Sequence, residues 1–144
     1  MKKEILVQYI DLQKELVEVR ERIGKLEVQI DKIEQEGAVV DKVMGGDGGF
    51  QPFRIEGFPY PEYSRKKTLL YNRKAIAEGL EMEIAGMIHD VEIFISGIKD
   101  SHLRRIITLR VVDGLSWNQV AHRMGGGNTE DGVRKAFDRY LGKK

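Results

Sequence analysis

Residues 5–33 read ILVQYIDLQKELVEVRERIGKLEVQIDKI, and their pattern decides the fold. Apolar residues recur at alternating steps of four and three, and charged side chains fill most of the other positions. The repeating residues are Ile5, Tyr9, Leu12, Leu16, Val19, Ile23, Leu26, Ile30 and Ile33. This heptad repeat predicts a long helix that buries one narrow seam against another helix. Gly37 falls where the next seam residue belongs, so we expect the pattern to stop there.

A second helical pattern begins at about Arg65 and ends at Ile98. Its apolar residues alternate steps of three and four, and they are Ala77, Leu80, Ile84, Met87, Val91, Phe94 and Ile98. Two long helices with matching seams predict an antiparallel, coiled-coil-like helical hairpin. In the alternative, the first seam pairs with a second copy of the chain, and the N-terminal helices form a homodimer interface. The sequence leaves both pairings open.

The connection between these helices, residues 37–64, has a different composition. It contains a glycine cluster, Met44-Gly-Gly-Asp-Gly-Gly-Phe50, and three prolines, which interrupt helices. It is also rich in aromatic residues, which a loop without packing partners rarely is. We therefore expect it to pack against the rest of the protein, with a short strand pair around residues 53–58.

Residues 99–144 predict a separate module of short helices. Asp100 or Ser101 can cap a helix that runs to about Val112 and ends at Asp113-Gly114. Helix-start signals follow at once, since Ser116 and Gln119 have the spacing of a capping box. Domain boundaries therefore lie at 1–98 for the hairpin and 99–144 for this module.

The end of the module predicts a helix-turn-helix. Residues 117–124 form a short helix with Trp117 on its apolar face, and Gly125-Gly126-Gly127 ends it. Asn128 or Thr129 caps the last helix, whose apolar face carries Val133, Ala136, Phe137, Tyr140 and Leu141. The opposite face carries Asp131, Arg134, Lys135 and Asp138. A recognition helix in the major groove needs this division between a packed face and a polar face.

The charge of the chain is divided unequally between the two segments. The sum is only +1, from 24 Lys and Arg against 23 Asp and Glu. Residues 99–144 hold ten basic and five acidic residues, a net charge of +5, whereas residues 1–98 have a net charge of −4. The basic excess therefore lies in the module with the recognition-helix pattern, as phosphate binding requires.

Residues 109–121, LRVVDGLSWNQVA, resemble the C-terminal promoter-recognition helix-turn-helix of bacterial sigma factors. More narrowly, residues 107–141 resemble the ArpU-type phage and prophage regulators of late transcription, through Gly-Gly-Gly-Asn-Thr at 125–129 and Val-Arg-Lys-Ala at 133–136. The resemblance covers residues 100–141, roughly a third of the chain. It implies a small cytoplasmic DNA-binding protein that activates a phage late or packaging operon, with RNA polymerase as a partner.

The predicted contacts with double-stranded DNA follow from these faces. Arg134 and Lys135 are the strongest candidates for base contacts, and Arg123 and Arg139 lie off the central stripe, where they suit phosphates. Acidic side chains at the start of the last helix can accept hydrogen bonds from cytosine or favour the helix dipole. The remaining predicted DNA-binding residues are Ser116, Asn118, Asn128, Thr129, Glu130, Asp131 and Asp138.

Several classes of function lack support in the sequence. The chain has no cysteine, which excludes disulfides and thiolate zinc sites and fits a reducing cytoplasm. No catalytic arrangement is recognisable, so we expect no enzyme activity and no cofactor. We also expect no metal, because His89, His102 and His122 do not have the spacing of metal ligands. No apolar stretch approaches the roughly 20 residues of a membrane span. Residues 1–4 are followed by an amphipathic pattern, so we expect no signal peptide. The alternative functions are a phage small terminase subunit and a coiled-coil protein-interaction module that binds no DNA.

Overall fold

The computed structural model describes residues 3–45 and 57–142, with side chains from residues 3–37 and 57–142. Five helices occur in this part of the chain: α1 (Glu4–Gly45), α2 (Tyr60–Ser96), α3 (Ser101–Ile107), α4 (Trp117–Met124) and α5 (Glu130–Tyr140). A π-helical turn, Thr108–Val112, continues α3. The described residues contain no strand. The prediction of an all-α protein is therefore confirmed.

Helices α1 and α2 form the predicted antiparallel hairpin. Their cross-contacts run in opposite directions along the two helices: Arg20 pairs with Glu81, Glu27 with Lys74, and Glu34 accepts a hydrogen bond from Tyr63. The predicted seam of α1 is buried at Tyr9, Leu12, Leu16, Val19, Leu26, Ile30 and Ile33. The heptad repeat thus pairs within the chain.

The predicted end of the first helix at Gly37 is wrong, because α1 continues to Gly45. Gly37 keeps the seam position and is buried, and the ring of Phe58 occupies the place that a Cβ atom would take. An aromatic side chain from outside α1 therefore replaces the missing seam side chain. Phe58 itself lies in a bend before α2 rather than in a strand. The rest of the predicted strand pair, residues 53–56, lies outside the described residues.

The predicted start of the second helix at Arg65 is also wrong, since α2 begins at Tyr60. Pro61 is compatible with this start, because the first turn of a helix needs no backbone N–H donor. The apolar pattern is invisible in this part of α2 because two seam positions are basic. Lys66 Nζ donates to Gln29 Oε1 at 2.8 Å, and Arg73 Nη1 approaches the carbonyl oxygen of Arg22 at 3.5 Å.

The packing of the chain divides it into two compact units. Unit 1 consists of Met1–Lys14 and Met82–Lys144, and unit 2 is Glu15–Glu81. The predicted boundary between residues 98 and 99 lies inside unit 1. Residues with no more than 2% exposure in the core of unit 1 come from every part of it: Leu6, Val91, Ile106, Ile107, Val111, Val120 and Val133. The beginning of α1 is therefore part of the same hydrophobic core as the C-terminal helices.

Helix α3 is capped by Asp100, whose carboxylate accepts hydrogen bonds from the N–H groups of His102 and Leu103. The helix runs to Val112 as predicted, but its last five residues, Thr108–Val112, form a π-helical turn. The carbonyl oxygen of Val111 accepts a hydrogen bond of 3.2 Å from Gln13 Nε2 of α1. This long-range partner satisfies one of the carbonyl groups that the end of a helix leaves without an internal partner. Sequence periodicity alone does not reveal such a change of helical type.

Candidate nucleic-acid interface

Helix α4 begins with the predicted capping box. Ser116 Oγ accepts a hydrogen bond from the Gln119 backbone at 3.2 Å, and Gln119 Oε1 accepts one from the Ser116 backbone at 2.9 Å. Gly114 precedes this start with a φ of 70°, a conformation that favours glycine. The Ser116 hydroxyl therefore caps the N-terminus of α4. Asn118, also predicted to contact DNA, is exposed in the first turn.

The turn between α4 and α5 is held by internal hydrogen bonds. Gly125 and Gly126 have φ angles of 72° and 59°, so both lie in the left-handed region. Asn128 Nδ2 donates to the carbonyl oxygen of Gly125 at 2.7 Å, and its Oδ1 lies 3.0 Å from His102 Nε2. Because Oδ1 can only accept, His102 Nε2 is the donor of this bond. Asn128 was predicted to contact DNA, but both ends of its amide already have protein partners.

Helix α5 begins at Thr129, one of the two predicted caps. Thr129 Oγ1 accepts a hydrogen bond of 3.0 Å from the backbone N–H of Gly132. A Cβ atom on Gly132 would lie only 2.9 Å from this oxygen, so a side chain at position 132 would disturb the cap. The residue types at 129 and 132 therefore serve the helix start.

The two faces of α5 divide as predicted. Val133 and Phe137 are buried, at 2% and 5% exposure, in the core of unit 1. On the other side Asp131, Arg134 and Lys135 are exposed, whereas Asp138 is half-buried. Helix α5 contacts both α3 and α4, which hold its apolar face and leave the charged face to solvent.

One carboxylate binds both basic residues at the centre of this face. Asp131 Oδ1 lies 2.6 Å from Arg134 Nη2, and Asp131 Oδ2 lies 2.9 Å from Lys135 Nζ. These hydrogen bonds, first to Lys135 and then to Arg134, lower the pKa of Asp131 below its usual value. The same contact raises the pKa of Arg134. The exposed face of α5 therefore presents a cluster of one anionic and two cationic side chains, which we call the Asp131 triad (Asp131, Arg134 and Lys135).

Three other predicted residues are exposed on α4 and α5. Glu130 and Arg139 are exposed on α5, and Arg123 is exposed at the end of α4. Their side chains, like that of Asn118, are therefore accessible to a ligand.

Three residues that hold this region together were not predicted from the sequence. His102 binds Asn128, as described above, and Arg110 lies over the ring of Trp117 at 4.5 Å while donating to the carbonyl oxygen of Leu115. Lys3 Nζ donates to the carbonyl oxygen of Tyr140 at 2.8 Å, near the end of α5. Each contact joins positions that no local pattern connects, so the sequence contains no signal for them.

Trp117 has a packing role. Its ring meets Phe137 in an edge-to-face contact at 5.1 Å between centroids, and the guanidinium of Arg110 lies 4.5 Å from its ring centroid. The indole therefore joins α4 to α5, in agreement with the predicted core position.

Comparisons of the chain with protein-family models, with curated proteins and with solved structures find no match. Within residues 3–45 and 57–142, no helix has the length and apolar character needed to cross a membrane. The same residues contain no group of three or more histidine, aspartate or glutamate side chains that could hold a metal ion.

Proposed function

We propose that this protein is a sequence-specific DNA-binding regulator of transcription, with α4 and α5 acting as a helix-turn-helix. The observation that carries the proposal is the exposed, charged face of α5, whose opposite face is packed against α3 and α4. A helix held in this way can enter the major groove, which is about 12 Å wide and accepts one helix. The net charge of +5 in residues 99–144 supports the same assignment.

In this proposal, affinity and specificity come from different side chains. Arg123, at the end of α4, and Arg139, in the last turn of α5, bind phosphates and fix the position of the helix. Arg134 and Lys135 reach the edges of the bases, and arginine pairs most often with guanine. Arg134 and Lys135 must leave the carboxylate of Asp131 to make these contacts, so DNA binding replaces ion pairs that already exist.

The resemblance to ArpU-type and sigma-factor sequences supports a more specific biological role. The protein would activate a phage late or packaging operon in the cytoplasm and contact RNA polymerase. A reporter fused to the promoter downstream of its gene tests this part. Unchanged expression after deletion of the gene would contradict activation and leave DNA binding to be judged separately.

The DNA-binding proposal is tested by selecting bound duplexes from a random-sequence library and then measuring affinity against salt concentration. We expect Arg134→Ala to cost about 1–3 kcal/mol on the selected site, and loss of a phosphate contact to reduce the salt slope by about one. The matched control is Arg22→Ala, which removes the same charge from an exposed part of unit 2. Absence of any enriched sequence and of salt-dependent duplex binding would refute the proposal.

A further inference from the structure

Unit 1 contains a surface groove that is distinct from the charged face of α5. Its volume is about 600 Å³, and its lining comes from the end of α2, from α3 and its π-helical turn, and from the end of α4. The floor is apolar, with Ile95 and Leu109 buried and Val112 half-buried. Because α5 contributes no lining residue among those described, occupation of the groove leaves the charged face of α5 open.

The rim of the groove is strongly basic. Arg104, Arg105 and Arg123 line it, against a single carboxylate from Glu92. The guanidinium of Arg104 is fixed by hydrogen bonds to the carbonyl oxygens of Ile98 and Lys99, at 2.5 Å and 3.2 Å. The other two arginines are exposed, and no ion pair among the described residues includes any of the three. An apolar floor with unneutralised arginines on its rim defines what we call the arginine groove.

We propose that the arginine groove binds a helical segment of another protein, one with an apolar stripe flanked by aspartate and glutamate. The charge complementarity of the rim selects the acidic flanks, and the floor selects the stripe. An amphipathic helix meets both demands, because residues at i, i+4 and i+7 share one side and their neighbours lie beside them. Such a partner would be held by the same unit that carries α5, and it would share only Arg123 with the DNA contacts proposed above.

Other occupants fit the groove less well. A DNA backbone would offer phosphates to the arginines, but it would leave the apolar floor uncovered. A second copy of this chain has acidic helices in its hairpin, but the apolar seam of α1 is already buried within the chain. The groove is also bordered by exposed side chains, whereas small ligands are usually enclosed on most sides.

The test uses the full-length protein and a labelled synthetic peptide of about 16 residues, long enough to form a helix. The peptide has a leucine stripe, glutamate on both flanks and alanine elsewhere. Binding is measured by fluorescence anisotropy, and amide NMR shifts locate it on the protein. We expect shifts around Ile95, Leu109 and Val112, and about tenfold weaker binding by Arg105→Glu, since reversing a rim charge replaces attraction by repulsion. Arg65→Glu makes the same charge change at an exposed site in unit 2 and should bind as the wild type does.

Two control peptides separate the components of recognition. Replacing glutamate by lysine should abolish binding, because lysine is repelled by the arginines of the rim. Replacing leucine by serine should also abolish binding, because serine offers no apolar surface to the floor. Failure of the first peptide to bind, equal binding of all three peptides, or equal loss in both arginine variants would overturn the proposal. If Arg105→Glu changes the oligomeric state, measured as the molecular mass of the protein in solution, the groove would instead be assigned to a second copy of the chain. Weakened duplex binding by Arg105→Glu, with displacement of the peptide by DNA, would assign the groove to DNA.

Discussion

At the scale of single residues, Asp131 determines how α5 presents its positive charge. Its two oxygens hold Arg134 and Lys135 at 2.6 Å and 2.9 Å, so both cations already have an anionic partner. Because these contacts lower the pKa of Asp131, the carboxylate stays charged at mildly acidic pH, and acidification to about pH 5 would not release the two cations. The cluster therefore reduces electrostatic attraction to any polyanion while keeping both long side chains in place.

Replacing Asp131 by asparagine tests this role. We expect Asp131→Asn to bind duplex DNA more tightly and with a salt slope steeper by about one to two, because Arg134 and Lys135 become available to phosphates. Discrimination between sequences should fall at the same time, since phosphate contacts carry no sequence information. Filter binding to the selected duplex and to a random duplex, over a range of salt concentrations, measures both effects.

Glu130→Gln is the matched control for this experiment. It removes the same charge from the same turn of α5, but Glu130 forms no ion pair among the described residues. An equal gain of affinity in Glu130→Gln would show that net charge alone explains the effect. A loss of affinity in Asp131→Asn would mean that its carboxylate contacts DNA directly.

At the scale of helices, the starts of α3, α4 and α5 depend on side chains that accept backbone hydrogen bonds. Asp100, Ser116 and Thr129 each bind a backbone N–H group two or three residues ahead. These caps matter because all three helices are short, and a short helix has a large share of its N–H groups without internal partners. The sequence predicted such caps by type and spacing, but left two choices open for α3 and two for α5.

Ser116→Ala should destabilise the protein by about 0.5–2 kcal/mol, the usual cost of losing a helix cap. Urea denaturation followed by far-UV circular dichroism measures the free energy of unfolding. Ser101→Ala is the control, because Asp100 rather than Ser101 caps α3, and it should change that energy by less than about 0.5 kcal/mol. Equal effects of the two substitutions would contradict the assignment of the caps.

At the scale of the whole molecule, both ends of the chain belong to unit 1. Leu6 is fully buried and Tyr9 nearly so, in one core with Ile106, Val120 and Phe137. Lys3 also lies 4.3 Å from the ring centroid of Tyr140, while its Nζ binds the carbonyl oxygen of that residue. The first turns of α1 are therefore needed to complete the core on which α4 and α5 are packed.

Leu6→Ala should lower the free energy of unfolding of unit 1 by about 2–5 kcal/mol, the cost of removing a buried leucine side chain. Trp117 is the single tryptophan of the chain and lies in unit 1, so its fluorescence during urea denaturation reports on this unit. Val28→Ala, at a 69% exposed position of α1, is the control and should leave the transition within about 0.5 kcal/mol. If Leu6→Ala leaves the Trp117 transition unmoved, the start of α1 does not support the C-terminal helices.

Local spacing accounts for what could be predicted about the candidate site. The faces of α5 and the cap at Ser116 follow from residues three or four positions apart, which a helix brings together whatever its surroundings. The hydrogen bonds of Asn128 and the ion pairs of the Asp131 triad could not be predicted from spacing alone. They depend on which rotamers the packed structure allows, and for Asn128 on a histidine from another helix.

The sequence alone predicts an all-α protein, two long helices that each have an apolar seam, and a last helix with one apolar and one charged face. These properties follow from periodicity, which depends only on residues within a single helix. The packing of distant segments, by contrast, places Phe58 in the seam at Gly37, brings Gln13 to the carbonyl group of Val111, and makes Leu6 part of the core of unit 1. The physical reason is that periodicity shows which side of a helix is buried, whereas the identity of its partner depends on how distant segments fit together.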